Sequence, residues 1–274
     1  MLKARILTAF VLLVAFLAGL LWLPRLAWVA VVSMALAAAA WEWAALSGLA
    51  RTGRSLYGAA VAAAGFWAGW TAVADPAAAF GPSWLYLSAA VFWIVLAPIW
   101  LWERPAFSTA LMPLLAGFVV LVPNAAALVQ LREESAGLLI ATMAVVWISD
   151  TAAYFAGHRF GRHKLAPSIS PGKTWEGVCG ALIAVTVYAM GWLFAGGGPK
   201  PDVLRQAVLG GVWFVVLLLG LAVAGIVGDL LESQMKRQAG VKDSGTALPG
   251  HGGVLDRIDA LLPVLPLAAL AFLK

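Results

Sequence analysis

The chain has 274 residues, 63% of them hydrophobic and 11% charged, against about 25% charged in an ordinary soluble domain. A mean hydropathy of +0.92 excludes a water-soluble globular domain and marks an integral membrane protein from end to end. The single cysteine, Cys179, excludes an intrachain disulfide, and the net charge of +5 is spread in a way that does not point to nucleic acid.

Apolar runs recur near the ~20 residues that a helix needs to cross a ~30 Å hydrocarbon core. In chain order, nine spans are expected, at roughly 6–22, 26–47, 57–74, 84–102, 107–130, 137–157, 177–195, 207–229 and 255–273. The first run is read as a span, not as a cleaved leader, because a second run follows almost at once. "LAAAAWEWAALSGLA" (36–50) and the Gly65/Gly69 pair read as small-residue helix packing. Pro98, Pro113, Pro123, Pro263 and Pro266 fall inside spans and predict kinks or breaks. With the N-terminus inside, 13 of the 18 basic residues face the cytoplasm, so the positive-inside rule favours that orientation. The fold class is therefore all-α, a polytopic helix bundle of about nine spans. It divides into an N-terminal bundle (1–136) and a C-terminal catalytic region (137–274) with cytoplasmic loops at 158–176 and 230–256.

Charge is concentrated in two places. Residues 149–177 and 229–259 together hold 15 of the 31 charged residues, far more than anchoring requires. In the second stretch Asp229, Glu232, Ser233 and Lys236 are spaced i, i+3, i+4, i+7, so a helix continuing past the span puts all four on one face. Next comes "PGHGG" (249–253), whose glycines permit positive φ and close approach of backbone N–H groups to an anion. Asp256 and Asp259 follow, bracketed by Lys242, His251 and Arg257. Carboxylates alone suit a cation and cations alone a phosphate; both together suit a metal–polyphosphate complex. The first stretch supplies Asp150 and then Arg159, Arg162, His163, Lys164, Ser168, Ser170, Lys173 and Thr174, a dense set of hydrogen-bond donors suited to phosphate. "GKT" (172–174) is not a P-loop, since Pro167 stands where the leading glycine belongs. His158 and His163 lack the spacing and the cysteine partner of a zinc site.

Residues 233–259, "SQMKRQAGVKDSGTALPGHGGVLDRID", resemble the signature of the phosphatidate cytidylyltransferases (CDP-diacylglycerol synthases). The upstream "SDTAAYFAGHRFGRHKLAPSISPGKTWEG" (149–177) is similar to the loop that precedes it in that family, with His158 a minor departure. The resemblance is specific over roughly residues 147–262; before that it extends only to length and hydropathy. It implies transfer of the cytidylyl group of CTP to phosphatidate, giving CDP-diacylglycerol and pyrophosphate, on a homodimeric polytopic fold in a bacterial inner membrane with the site facing the cytoplasm. It also implies Asp229 and Asp256 as ligands of Mg²⁺, with a second cation such as K⁺ as an option. Asp259 and Asp150 are further metal-ligand candidates. Lys173, Lys242, Arg237, His251 and Arg257 are expected on phosphates, with Lys236, Ser170, Thr174, Gly252 and Gly253 as additional substrate contacts. The alternatives are a cytidylyltransferase for an isoprenoid ether lipid, a CTP-dependent polyprenol kinase and, more distantly, a transporter. A transporter is expected to carry isolated mid-span charges and repeats, whereas charge here lies in interfacial loops.

Overall fold

The structure, a computed structural model, describes residues 2–74, 83–105, 109–195, 208–248, 250 and 252–273. The first five helices are α1 (Leu2–Trp22), α2 (Arg25–Leu46), α3 (Arg51–Ala74), α4 (Ser83–Val91) and α5 (Ala97–Glu103). They are followed by α6 (Leu111–Glu134), α7 (Ala136–Phe160) and α8 (Trp175–Phe194). The last three are α9 (Val208–Gln238), α10 (Leu255–Ile258) and α11 (Leu261–Phe272). Each expected apolar run is helical over most of its described residues. Seven of the described helical stretches are long and apolar enough to cross a membrane, counting Ser83–Glu103 as one, while Phe10–Trp22 and Leu261–Phe272 are shorter. The all-α membrane bundle stands, with seven helices of spanning length among the described residues.

Proline accounts for two of the irregularities. Pro98 has no N–H to give the preceding turn, and the helix answers with a π segment, Phe92–Leu96, between α4 and α5. The expected last span, 255–273, is two helices. Pro263 sits in the first turn of α11, where its missing donor costs nothing, and the chain breaks at Asp259–Ala260 just before it.

The expected loops are also shorter and more ordered than their sequence suggests. α9 runs on to Gln238, so the second loop begins after the polar face rather than at residue 230. The first contains an antiparallel hairpin, β1 (Lys164–Ala166) and β2 (Ser170–Thr174), standing directly on α8.

One buried core passes through both halves of the chain, from Leu20 and Trp43 through Leu121 and Leu139 to Leu218 and Val264. Gly65 and Gly69 pack α3 on α6, where an added Cβ would lie 3.3 Å from Ala125 and 3.2 Å from Val129. At Gly228, an added Cβ would come within 2.5 Å of the Asp259 carbonyl oxygen. Only a glycine there lets α9 lie directly against the α10–α11 break, and that approach sets Asp229 beside Asp259.

Candidate active site

The polar end of α9 is a continuous face, as its spacing requires. Ser233 Oγ donates to Asp229 Oδ1 at 3.2 Å, and one turn on Lys236 Nζ meets Glu232 Oε2 at 2.5 Å. The same ammonium reaches across to Asp256 Oδ1 at 2.7 Å. This cluster is dry, with the Glu232 and Asp256 side chains 1% and 5% exposed.

The hairpin delivers a second cation. Lys173 Nζ pairs with Asp229 Oδ2 at 2.7 Å. Thr174, the next residue, is the N-cap of α8, its Oγ1 accepting from Gly177 N at 3.1 Å; the cap holds the hairpin's end to α8. Beside it, just before β1, His163 Nδ1 lies 2.6 Å from Glu176 Oε1, and both oxygens of Glu176 accept from His163 N. Tight packing of α7 on α8 brings these parts together: a Cβ at Gly177 would lie 2.9 Å from the Ala153 carbonyl oxygen. The result is a cavity of about 520 Å³ lined by Asp150, Tyr154, Ser170, Lys173, Thr174 and Asp229.

The loop after α9 is folded around Asp256. Leu248 N donates to Gly252 O at 2.9 Å, closing a turn in which Gly250 and Gly252 take φ of 75° and 84°, values suited to glycine. Asp256 Oδ2 accepts from Ser244 N at 3.0 Å and Gly253 N at 2.8 Å. Burial works to raise the Asp256 pKa, but the Lys236 ammonium and the Gly253 N–H lead the contacts that outweigh it and hold the carboxyl down at about 2. Asp259 goes the other way: burial, and then the nearby Asp229 charge, raise its pKa against the pull of Lys173 and Lys236. Asp259 thus lies within electrostatic reach of both ion-paired clusters.

Of the residues expected from the sequence, Asp150, Asp229, Ser170, Lys173 and Thr174 share the cavity. Asp256, Lys236 and Gly253 form the dry cluster. Two contacts differ from expectation. The Lys236 ammonium is held by Glu232 and Asp256, and the Gly253 N–H by Asp256, so in this structure both groups build the site instead of standing open to phosphate. Arg237 is exposed and its Nε donates to Ile169 O at 3.2 Å, tying α9 to the turn between the strands. Lys242 and Arg257 are exposed. His251 lies outside the described residues. Among the described residues, no three carboxylate or imidazole groups converge into a ready-made metal cage. The carboxylates are arranged in ones and twos, the number Mg²⁺ takes when phosphate oxygens complete its shell.

The cytidylyltransferase family model matches residues 3–273. The chain belongs to the cytidylyltransferase family. It is 39% identical to a phosphatidate cytidylyltransferase of Pseudomonas aeruginosa over 98% of its own length and 96% of that protein's. It is 42% identical to one from Haemophilus influenzae over 57% of this chain and 55% of that one. For one from Thermotoga maritima the figures are 38%, 52% and 51%. The family match spans the first half too, where sequence resemblance had been limited to length and hydropathy.

One buried carboxylate outside both polar stretches also belongs to this loop architecture. Glu42, inside the small-residue run of α2, is 2% exposed and hydrogen-bonds the loop ahead of Asp256. The available signal was a lone carboxylate in an apolar span, which is costly unless it has partners and is by default a functional lead.

Proposed function

We propose that this chain transfers the cytidylyl group of CTP to phosphatidate, forming CDP-diacylglycerol and releasing pyrophosphate. The observation that supports this most directly is the Lys173–Asp229 pair in a cavity at the polar end of an apolar helix. A nucleotide can enter such a site from water while a lipid keeps its chains in the bilayer.

The chemistry asks little of the protein in covalent terms. A phosphate oxygen of phosphatidate is already anionic and attacks the α-phosphorus of CTP. A new P–O bond forms, the bond to the bridging oxygen of the β-phosphate breaks, and its electron pair leaves with pyrophosphate. The obstacle is repulsion between anions, and positioned cations lower it. Lys173 stands in the cavity for this purpose, with Ser170 and Thr174 beside it. Lys242, Arg237, Arg257 and His251 are assigned to phosphates on their charge.

The donor set suits a divalent cation. Asp150 and Asp229 face one cavity, and the pKa of Asp259, raised first by burial and then by the Asp229 charge, reflects in its second cause an anionic crowding that a cation would relieve. Asp229 and Asp256, with Asp259 and Asp150, are the residues that would hold Mg²⁺ and a second cation such as K⁺. When bound, Mg²⁺ supplies neutralisation of the triphosphate and of the leaving pyrophosphate. The positive-inside count supports a site on the cytoplasmic face of a bacterial inner membrane, and a homodimer completes the reading.

The test is a membrane fraction given labelled CTP, Mg²⁺ and phosphatidate and scored for a chloroform-soluble cytidine product. Product is expected with phosphatidate and not with an isoprenoid phosphate in its place. Asp256→Asn is expected to lower the rate by at least about 10²-fold while insertion persists. Retained activity would remove Asp256 from the metal set.

A further inference from the structure

The loop that carries Asp256 is gripped from the far end of the chain. Glu42 lies in α2 within an otherwise apolar stretch, and its carboxylate takes three hydrogen bonds from this loop. Ser244 Oγ donates to Oε2 at 3.0 Å, Val254 N to Oε1 at 3.0 Å and Leu255 N to Oε2 at 2.8 Å. No lysine or arginine pairs with it among the described residues. The fit leaves no slack: a Cβ at Gly245 would collide with Oε1, and one at Gly253 with Oε2 and Ser244 Oγ together.

Asp256 holds the same segment too, through Ser244 N and Gly253 N. Ser244 and Gly253–Leu255 are therefore held by two carboxylates, and Asp256 follows directly on the last bond to Glu42. Moving Glu42 shifts the donors that orient the Asp256 carboxylate. Lys236, which bridges Asp256 and Glu232, would follow.

We infer that Glu42 is a positioning residue, which sets the Ser244–Leu255 segment so that Asp256 is presented at the site. Its bearing on catalysis rests on the cytidylyl transfer proposed above; the geometric part does not. In the purified, metal-free protein in detergent, Glu42→Gln replaces one acceptor oxygen with a donor and leaves the size unchanged. Amide hydrogen exchange at Val254 and Leu255 is expected to accelerate roughly 10- to 100-fold, the loss of a hydrogen bond to a charged acceptor. Exchange in α7 and α8 is expected to stay as it was. In the membrane assay kcat is expected to fall by a similar factor with the KM for CTP within about twofold, and Glu42→Asp to recover part of it.

Unchanged exchange at Val254 and Leu255, or acceleration spread equally over α7 and α8, would overturn the inference. If Glu42→Gln does not accumulate, Ser244→Ala decides. It removes one of the three bonds and is expected to give a few-fold effect on both readouts, roughly that of one neutral hydrogen bond; no effect on either overturns the inference. An inactive wild-type protein would refute the proposed reaction but leave the exchange result to judge Glu42.

Discussion

Two ammonium–carboxylate clusters adjoin in this site, and they differ in how much water reaches them. The Lys173 and Asp229 side chains keep 24% and 32% of their surface and line the cavity. Lys236, Glu232 and Asp256 keep 14%, 1% and 5%. A wet ion pair contributes about 0–1 kcal/mol to stability, so the fold has little need of Lys173 and Asp229. Taking one partner from a dry cluster strands a buried charge, at about 3–5 kcal/mol. The dry cluster holds the architecture together, and the wet pair is free to exchange its partner for a ligand.

That contrast can be broken by substitution. The largest effect is expected from Lys236→Met, which leaves Glu232 and Asp256 facing each other without a cation. Unfolding free energy in detergent should drop by about 3–5 kcal/mol; a loss under about 1 kcal/mol would erase the distinction. Lys173→Met should show the reverse pattern. Its stability should move by about 0–1 kcal/mol, while CDP-diacylglycerol formation falls on the order of 10²-fold. Similar stability losses in the two variants would mean that both clusters are architectural.

The smallest effect is on pH dependence, and the two aspartates of the last loop give opposite signs. The Asp256 pKa is depressed to about 2, below an unfolded value of ~3.9. Its contribution is therefore full above about pH 4 and lost as pH falls through about 2. Asp259 is raised by burial and by Asp229, so the folded state binds its proton more tightly and stability declines as pH rises above the unfolded value of ~3.9. The metal-free protein is expected to unfold at a lower temperature at about pH 8 than at about pH 6. Added Mg²⁺ should narrow that gap, and a midpoint that rises with pH over this range would contradict the Asp259 environment.

Much of the molecule was legible in one dimension. Apolar length located each helix, because a bilayer demands about 20 residues per crossing. The i, i+3, i+4, i+7 spacing placed Asp229, Glu232, Ser233 and Lys236 on one face of α9, because helical periodicity is local. The hairpin was missed because "KLAPSISPGKT" is short and carries no alternating apolar pattern. The π segment and the break at Asp259 were foreseen only as proline irregularities, since how a helix absorbs a proline depends on what packs around it.

Sequence alone therefore determined where the apolar runs lie, the polar face of α9 and most of the chemically capable residues, all consequences of apolar length and helical spacing within a single segment. Tertiary structure decided which residues are partners: that Lys236 joins Asp256 rather than standing open to phosphate, that Lys173 takes Asp229, and that Glu42 reaches a loop some two hundred residues away. Those choices hang on close approaches at Gly228 and Gly177 and, for Glu42, at Gly245 and Gly253. Bringing backbones that near is a property of two packed surfaces, and no local pattern in a single strand of residues encodes it.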